Sequence, residues 1–493
     1  MTFMAESDWC EKIYVGEWVS GEGGPIPVRE PATGDELGRL GSATPADVGR
    51  ATARAVAAQR GWAAAGYQQR AAVLRRAGDL WLSHAGEIEE WIVRESGSVR
   101  AKARAEIERA ADECHEAAAL ASHPVGEVLR TQSPRLSFSR QVPVGVVGVI
   151  APFNFPVILS IRSVAPALAL GNAVVLKPDP RTAVCGGVVL ARIFEAAGLP
   201  PGVLSVLPGD AATGEALVVD PAVRVIAFTG STRAGRSVGQ LAGAHLKRAH
   251  LELGGNSALV VMPGVDVRRA AGAGAFGSFH HQGQICMATG RHIVAAEIAD
   301  EYVAALAERA GSCAVGDPAT ADVDLGPIID ERQLDRVHAL VAASRDAGAE
   351  LVCGGRYDRL FYEPTVLAGG PVSAPAYAQE VFGPVAPVVR FSSPEEAVAL
   401  ASDSEYGLSL GIVTTDGLAA LELAQRIPVG KVHINDQTVV DETPSPFGGM
   451  GVSGNGPRLG GLRHNVDAYT ETQWVTARSR LSGPFIGLAE AVK

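Results

Sequence analysis

Cysteine is scarce: six in 493 residues (Cys10, Cys114, Cys185, Cys286, Cys313 and Cys353), with no CxxC pair and no short His/Cys ligand spacing. The pattern signals neither a zinc site nor a disulfide framework, and it fits reduced thiols in a cytoplasmic protein. Positive charge is also short. The 43 Lys and Arg stand against 54 Asp and Glu, giving a formal net charge of −11 without a basic block, so the surface is not built to neutralise the phosphates of a nucleic acid. The opening MTFMAESDWCEK lacks the basic head and apolar run of an export signal. One long uncharged stretch, 141–161, lies between Arg140 and Arg162, but Pro143, Gly145, Gly148, Pro152, Asn154 and Pro156 interrupt it. A spanning helix does not tolerate so many breakers. The stretch reads as a buried strand, a loop and the start of a helix, with no membrane involved.

With 47% hydrophobic residues, a chain of this length fills two or three cores rather than one. Thr44 can cap a helix with Pro45 in its first position, and an Ala-rich run continues to about residue 62. Further helices are expected over 68–95 and 101–121. Short β-branched runs then alternate with helical segments: VGVVGVIA (144–151), AVVLK (173–177), VLSVL (203–207) and VRVIAFTG (223–230). Such alternation marks parallel βαβ units. A second series begins at HLELGG (250–255) and SALVVM (257–262), passes through a helical 266–283 and runs to about residue 450 as a separate α/β lobe. Segments 129–143 and 468–480 alternate polar and apolar residues like half-exposed antiparallel strands, of the kind that complete a neighbour's sheet. The expected fold class is α/β. It comprises a Rossmann-like dinucleotide-binding domain over 1–121 and 144–252, a second α/β catalytic domain over 253–455, and a small antiparallel β oligomerisation element over 122–143 and 464–484.

Two literal GxGxxG matches occur, and both lack the context of a phosphate loop. Gly272, Gly274 and Gly277 sit inside a helical stretch, while Gly449, Gly451 and Gly454 follow Pro446 with no strand before them. FTGSTRAGR (228–236) is the better candidate: a strand runs into Gly230, and Ser231 can cap a helix whose N–H groups would face a pyrophosphate. An ordinary capped turn is the plainer alternative. GQICMATGR (283–291) places Cys286 in a loop between a glycine-rich helix and a strand. His280 and His281 precede it without a third ligand, which reads as helix-end packing and not as a metal site.

Seven motifs stand in one order: PFNFP (152–156), KPDPRT (177–182), FTGSTRAG (228–235), LELGG (251–255), GQIC (283–286), EVFGP (380–384) and PFGG (446–449). In that order and at that spacing, over nearly its whole length, the chain resembles the aldehyde dehydrogenase superfamily. The resemblance implies oxidation of an aldehyde with NAD or NADP. Hydride loss from an aldehyde first needs a tetrahedral adduct, and Cys286 matches the nucleophile that forms it. A free thiol, with pKa about 8.5, must be activated for that role. Asn154 matches the amide that receives the oxyanion, and Glu252 the base that activates water against the resulting thioester. By the same resemblance Lys177 and Glu380 hold the two riboses, Phe382 lies along the nicotinamide, and Gly230 and Ser231 approach the pyrophosphate.

Many NAD-preferring relatives carry Glu three residues after the lysine of the KP motif, where this chain has Pro180. That loss weakens discrimination against NADP, with Asp179 the nearest source of negative charge. HHQGQICMATGRH, KPDPRTAV and INDQTVVDE are similar to bacterial benzaldehyde and related aromatic aldehyde dehydrogenases, which implies an aromatic aldehyde as substrate. Arg162 lies eight residues beyond Asn154, two turns at about 3.6 residues per turn. It is either a residue of the substrate mouth, with Phe155, or one half of a structural ion pair. A CoA-acylating enzyme and a non-catalytic structural or cofactor-binding member are the alternatives; Glu252 argues against the first, and the retained Cys286, Asn154 and Glu252 against the second. A homodimer or homotetramer is expected.

Overall fold

The computed structural model describes residues 2–123 and 126–480. In a first seven-stranded sheet, Arg248–Glu252, Val223–Thr229, Val146–Ile150, Ala173–Lys177 and Leu204–Val206 lie side by side and parallel. Lys12–Tyr14 and Trp18–Ser20 add two antiparallel strands at the far edge. Helices cover both faces, so the strands read as continuous Val, Ile and Ala runs rather than alternating ones. Chain order reverses at Val146–Ile150: the next two strands build to one side and the later two to the other. Ligands of such sheets settle outside the carboxyl ends at that reversal. There the register aligns Lys177, Ile150 and Phe228 across three strands, with Thr229 opposite Glu252.

The second seven-stranded sheet runs in the order Glu350–Cys353, Thr365–Ala368, Val385–Phe391, Thr289–Ala295, Ser257–Val261, Ser409–Val413 and Lys431–Ile434. Its pairs are parallel except that of Glu350–Cys353. Arg248–Glu252, whose sequence reads as opening the second series, instead completes the first sheet. The helix Thr232–Ala244 is the crossover that returns it beside Val223–Thr229. Gly254 and Gly255 then carry the chain into the second sheet, so Glu252 ends at the junction of the two.

Thr44 caps the helix Pro45–Ala64 in a reciprocal box with Asp47. The expected helix over 68–95 is two, Tyr67–Ser83 and Ala85–Ser96, divided where His84 leaves helical dihedrals at φ −109° and ψ 16°. A third helix, Arg100–Leu120, packs on the first and on Pro156–Ala169. The helical 266–283 ends sooner, as Val267–Phe279. His281, Gln282 and Gly283 then adopt left-handed φ values of 48°, 55° and 65°. Inside that helix a Cβ on Gly274 would run into Tyr302 Oη and His292, and one on Gly277 into Thr289 Oγ1. Gly274 and Gly277 thus serve close packing.

Segments 129–143 and 468–480 pair with each other: Leu136–Pro143 lies antiparallel to Thr470–Ala477, with Gly126–Val128 on its other side. Residues 124–125 and 481–484 of the segments expected to oligomerise fall outside the described residues. No described helix is long and apolar enough to cross a membrane.

Candidate active site

Cys286 leads into the strand Thr289–Ala295 and is half-buried. A Cβ on Gly255 would overlap the Cys286 carbonyl, so the glycine pair after Glu252 lets the two sheets' ends close on each other. Around the thiol, Ile285, Met287, Leu408 and Phe447 are buried, with Phe155 and Val439 packed against them. Burial, followed by the field of Glu380, pushes the thiol up to about 12, and Lys431 opposes this.

Glu252 is 4% exposed, and its Oε2 is buried with no hydrogen-bond partner among the described residues. Burial raises its carboxyl to about 8, against the pull of Arg458, Arg162 and Lys431. A buried carboxyl oxygen without a partner costs stability, and a carboxyl raised this far becomes a proton acceptor only as it ionises toward pH 8.

Asn154 is buried in the loop before Pro156–Ala169, and its Nδ2 donates to Gln284 O at 2.8 Å. An amide nitrogen carries a second N–H. Asn154 thereby ties the first sheet's loop to the segment bearing Cys286.

At the carboxyl end of Ala173–Lys177, Lys177 is 7% exposed and donates to Pro178 O at a long 3.4 Å; among the described residues it forms no ion pair. Burial lowers its ammonium, and the fields of Asp179 and Asp210 oppose this. Gly230 N donates to Glu252 O at 3.0 Å, and Ser231 Oγ caps Thr232–Ala244 by accepting from Ala234 N at 3.3 Å. Lys177 and this helix start flank the chain reversal of the first sheet. Phe382 holds a left-handed φ of 56°, and its ring meets Phe153 edge-on at 5.9 Å. Glu380 Oε1 accepts from Gly255 N at 3.0 Å, and burial raises its carboxyl to about 7. Glu380 thus lies against the glycine turn on the thiol's side.

Asp179 is not a free charge. Burial alone would raise its carboxyl, but the Arg181 guanidinium, at 2.8 Å and 2.9 Å, holds it below the usual range; Arg181 also reaches Asp330 at 2.7 Å. Pro180 opens the short turn that Asp179 caps.

Arg162, on Pro156–Ala169, is buried in an ion network: Nε donates to Glu113 at 3.1 Å and Nη2 to Asp441 at 2.6 Å. Its Nη1 is buried without a partner among the described residues, and the guanidinium lies 5.0 Å from the Phe447 ring. Lys431 joins from below, 3.2 Å from Asp441 and 4.0 Å from the same ring. The reading of the sequence did not single out Lys431, Asp441 or Glu113. The available signal for Lys431 was a lysine opening a short β-branched strand, KVHI, since a buried charge demands a partner. His281 packs edge-on against Phe155 at 5.4 Å, and His280 stacks on Phe276 at 4.7 Å.

These elements coincide with known proteins over nearly the whole chain. A family profile described as "Aldehyde dehydrogenase family" matches residues 18–475. A vanillin dehydrogenase of Amycolatopsis sp. is 62% identical over 486 residues, covering 98% of this chain and 100% of that protein. The benzaldehyde dehydrogenase [NAD(+)] of Pseudomonas putida is 46% identical over 469 residues, covering 95% and 96% respectively. The crystal structure of a salicylaldehyde dehydrogenase from Pseudomonas putida G7 complexed with salicylaldehyde superposes with a TM-score of 0.92 at 34% identity, covering 96% of this chain and 99% of that one.

Proposed function

Since this chain belongs to the aldehyde dehydrogenase family, we propose that it oxidises an aromatic aldehyde to the carboxylic acid, with Cys286 as nucleophile and NAD or NADP as hydride acceptor. The observation that carries the substrate class is the apolar shell of Phe155, Phe447, Ile285, Met287 and Val439 about the thiol, a surround that favours an aryl group over a charged one. The names of the vanillin, benzaldehyde and salicylaldehyde relatives support it.

The chemistry follows from the side chains. Cys286 releases its proton to solvent, and its sulfur adds to the carbonyl carbon as the C=O π pair moves onto oxygen, forming the S–C bond of a thiohemiacetal. The Asn154 amide donates to the oxygen that becomes anionic. The cofactor, when bound, accepts the hydride that leaves this carbon. Glu252 then takes a proton from water as the water oxygen attacks the thioester; the C–S bond breaks, the carboxylic acid is released, and the proton passes from Glu252 to the leaving thiolate. Lys177, Gly230 and Ser231, at the reversal of the first sheet, together with Glu380 and Phe382, are the residues to hold the dinucleotide. Both cofactors are admitted because Pro180 supplies no carboxylate and Arg181 already neutralises Asp179.

The division of labour follows the sheets: 1–121 with 144–252 for the cofactor, 253–455 for the thiol, and 122–143 with 464–484 for assembly into a dimer or tetramer. All six cysteines are free thiols, which supports a cytoplasmic setting. The test is formation of NADH and NADPH with benzaldehyde, with and without coenzyme A, for the native protein and Cys286→Ala. Turnover independent of coenzyme A and abolished in Cys286→Ala is expected. Near-native turnover by Cys286→Ala would refute the assignment, and strict dependence on coenzyme A would replace hydrolysis by acyl transfer.

A further inference from the structure

Two charged residues outside the site described above are buried beneath it. Lys102 and Glu106 lie one turn apart on Arg100–Leu120, each 2% exposed, with the ammonium ion-paired to Glu106 Oε1. Lys102 Nζ also donates to Asn154 O at 2.8 Å and sits 4.3 Å from the centre of the Phe155 ring. The other oxygen of Glu106 accepts from Val157 N at 3.0 Å and Ile158 N at 3.2 Å, the opening amides of Pro156–Ala169.

The pair therefore grips 154–158 at a carbonyl, a ring and two amides, leaving the Asn154 side chain to reach Gln284 O across the cleft. A core needs no ions for packing, and an apolar pair of similar volume is often at least as stable. What an apolar pair cannot supply is this set of directed contacts. We propose that Lys102 and Glu106 are positioning residues for thiohemiacetal formation, holding Asn154 where its amide meets the oxyanion. The proposal rests on the reading of Asn154 and Cys286 given above. A loop displaced by about 1 Å from a productive geometry loses on the order of 100-fold in rate, so the pair acts on acylation through Asn154 without touching substrate.

The test uses the full-length protein and three readouts. The first is the single-turnover rate of cofactor reduction with benzaldehyde. The second is alkylation of Cys286 by iodoacetamide, which forms no oxyanion. The third is the combination of each variant with Asn154→Ala. Lys102→Met should slow the single turnover by about 10- to 100-fold while alkylation stays within about twofold, because only the first needs the amide. Lys102→Met/Glu106→Gln leaves neither charge stranded, guards against misfolding, and should behave alike. In an Asn154→Ala background either change should add less than about twofold, since a residue that acts through another has nothing left to position. Multiplying effects, an equal loss of alkylation, or an unchanged single turnover would each overturn the proposal. A native rate in Asn154→Ala alone would overturn it together with the role assigned to Asn154, and alkylation of Cys286 without loss of turnover would instead remove the nucleophile.

Discussion

Glu252 ends a parallel strand with one carboxyl oxygen buried and without a hydrogen-bond partner among the described residues, a cost that the fields of Arg458, Arg162 and Lys431 only partly offset. Its carboxyl stands at about 8 instead of 4.5, so it is protonated, and unable to accept a proton from water, through most of the neutral range. Steady-state turnover should rise with pH along a limb centred near 8. Glu252→Gln should keep a single burst of reduced cofactor, turn over slowly and lose that limb; rapid turnover by this variant would sink the role. Stability moves the opposite way. The folded chain keeps a proton that the unfolded chain releases above about 4.5, so this contribution is full below that pH and lost as pH rises through 8. Thermal melts of Glu252→Gln across this window should decline less steeply than those of the native chain.

Position 180 makes the cofactor question equally local. Pro180→Glu would place a carboxylate beside Asp179, whose charge Arg181 already occupies. The added charge is free to repel a 2′-phosphate. The ratio of kcat/KM for NADP to that for NAD should fall about tenfold or more, and an unchanged ratio would show that residue 180 does not face the ribose.

At the scale of elements, glycine divides into two kinds. Gly49 and Gly61 lie exposed in Pro45–Ala64, and a Cβ at either meets nothing within 4 Å. Gly49→Ala and Gly61→Ala should each stabilise the chain by about 0.5–1 kcal/mol, read from denaturant midpoints, because alanine loses less backbone entropy on entering a helix. Gly274 reverses the sign. Its Cβ would strike Tyr302 Oη and the His292 ring, which are themselves hydrogen-bonded at 2.8 Å. Gly274→Ala should therefore cost about 1–3 kcal/mol as an overpacked core does; stabilisation would mean that Val267–Phe279 can shift freely against Ala299–Ser312.

For the whole molecule, the small sheet is the open end. Thr470–Ala477 is paired on one side by Leu136–Pro143, and Trp474, Leu136 and Val128 are 63%, 54% and 83% exposed. An edge strand with such apolar exposure calls for a covering partner. Trp474→Glu should lower the mass seen by sedimentation velocity toward that of the 51.0 kDa chain. An unchanged mass would place the interface elsewhere.

What the sequence determined by itself was the set of local patterns. Ala173–Lys177 reads as a buried parallel strand from its short unbroken apolar run, Thr44 announces the helix it caps, and the FTGSTR turn announces Ser231 as a cap. Each depends on residues within a few positions of one another, which is why it is legible in one dimension. The motifs around Cys286, Glu252 and Asn154 are legible for the same reason, being short strings. Other features were decided by contacts between residues far apart in the chain. Arg248–Glu252 joined the first sheet because its crossover helix folded back. The helix over 68–95 divided at a histidine that carries no breaker signal. Lys12–Tyr14 found the sheet edge through a single register pair, Tyr14 with Val206. Lys102 and Glu106 read as ordinary charges on a polar helix, and Lys431 as a strand-edge lysine. Only burial against Asn154, Phe155 and Asp441 turned them into fixed groups, because a charge takes its meaning from the dielectric and the partners around it, and the tertiary fold supplies both.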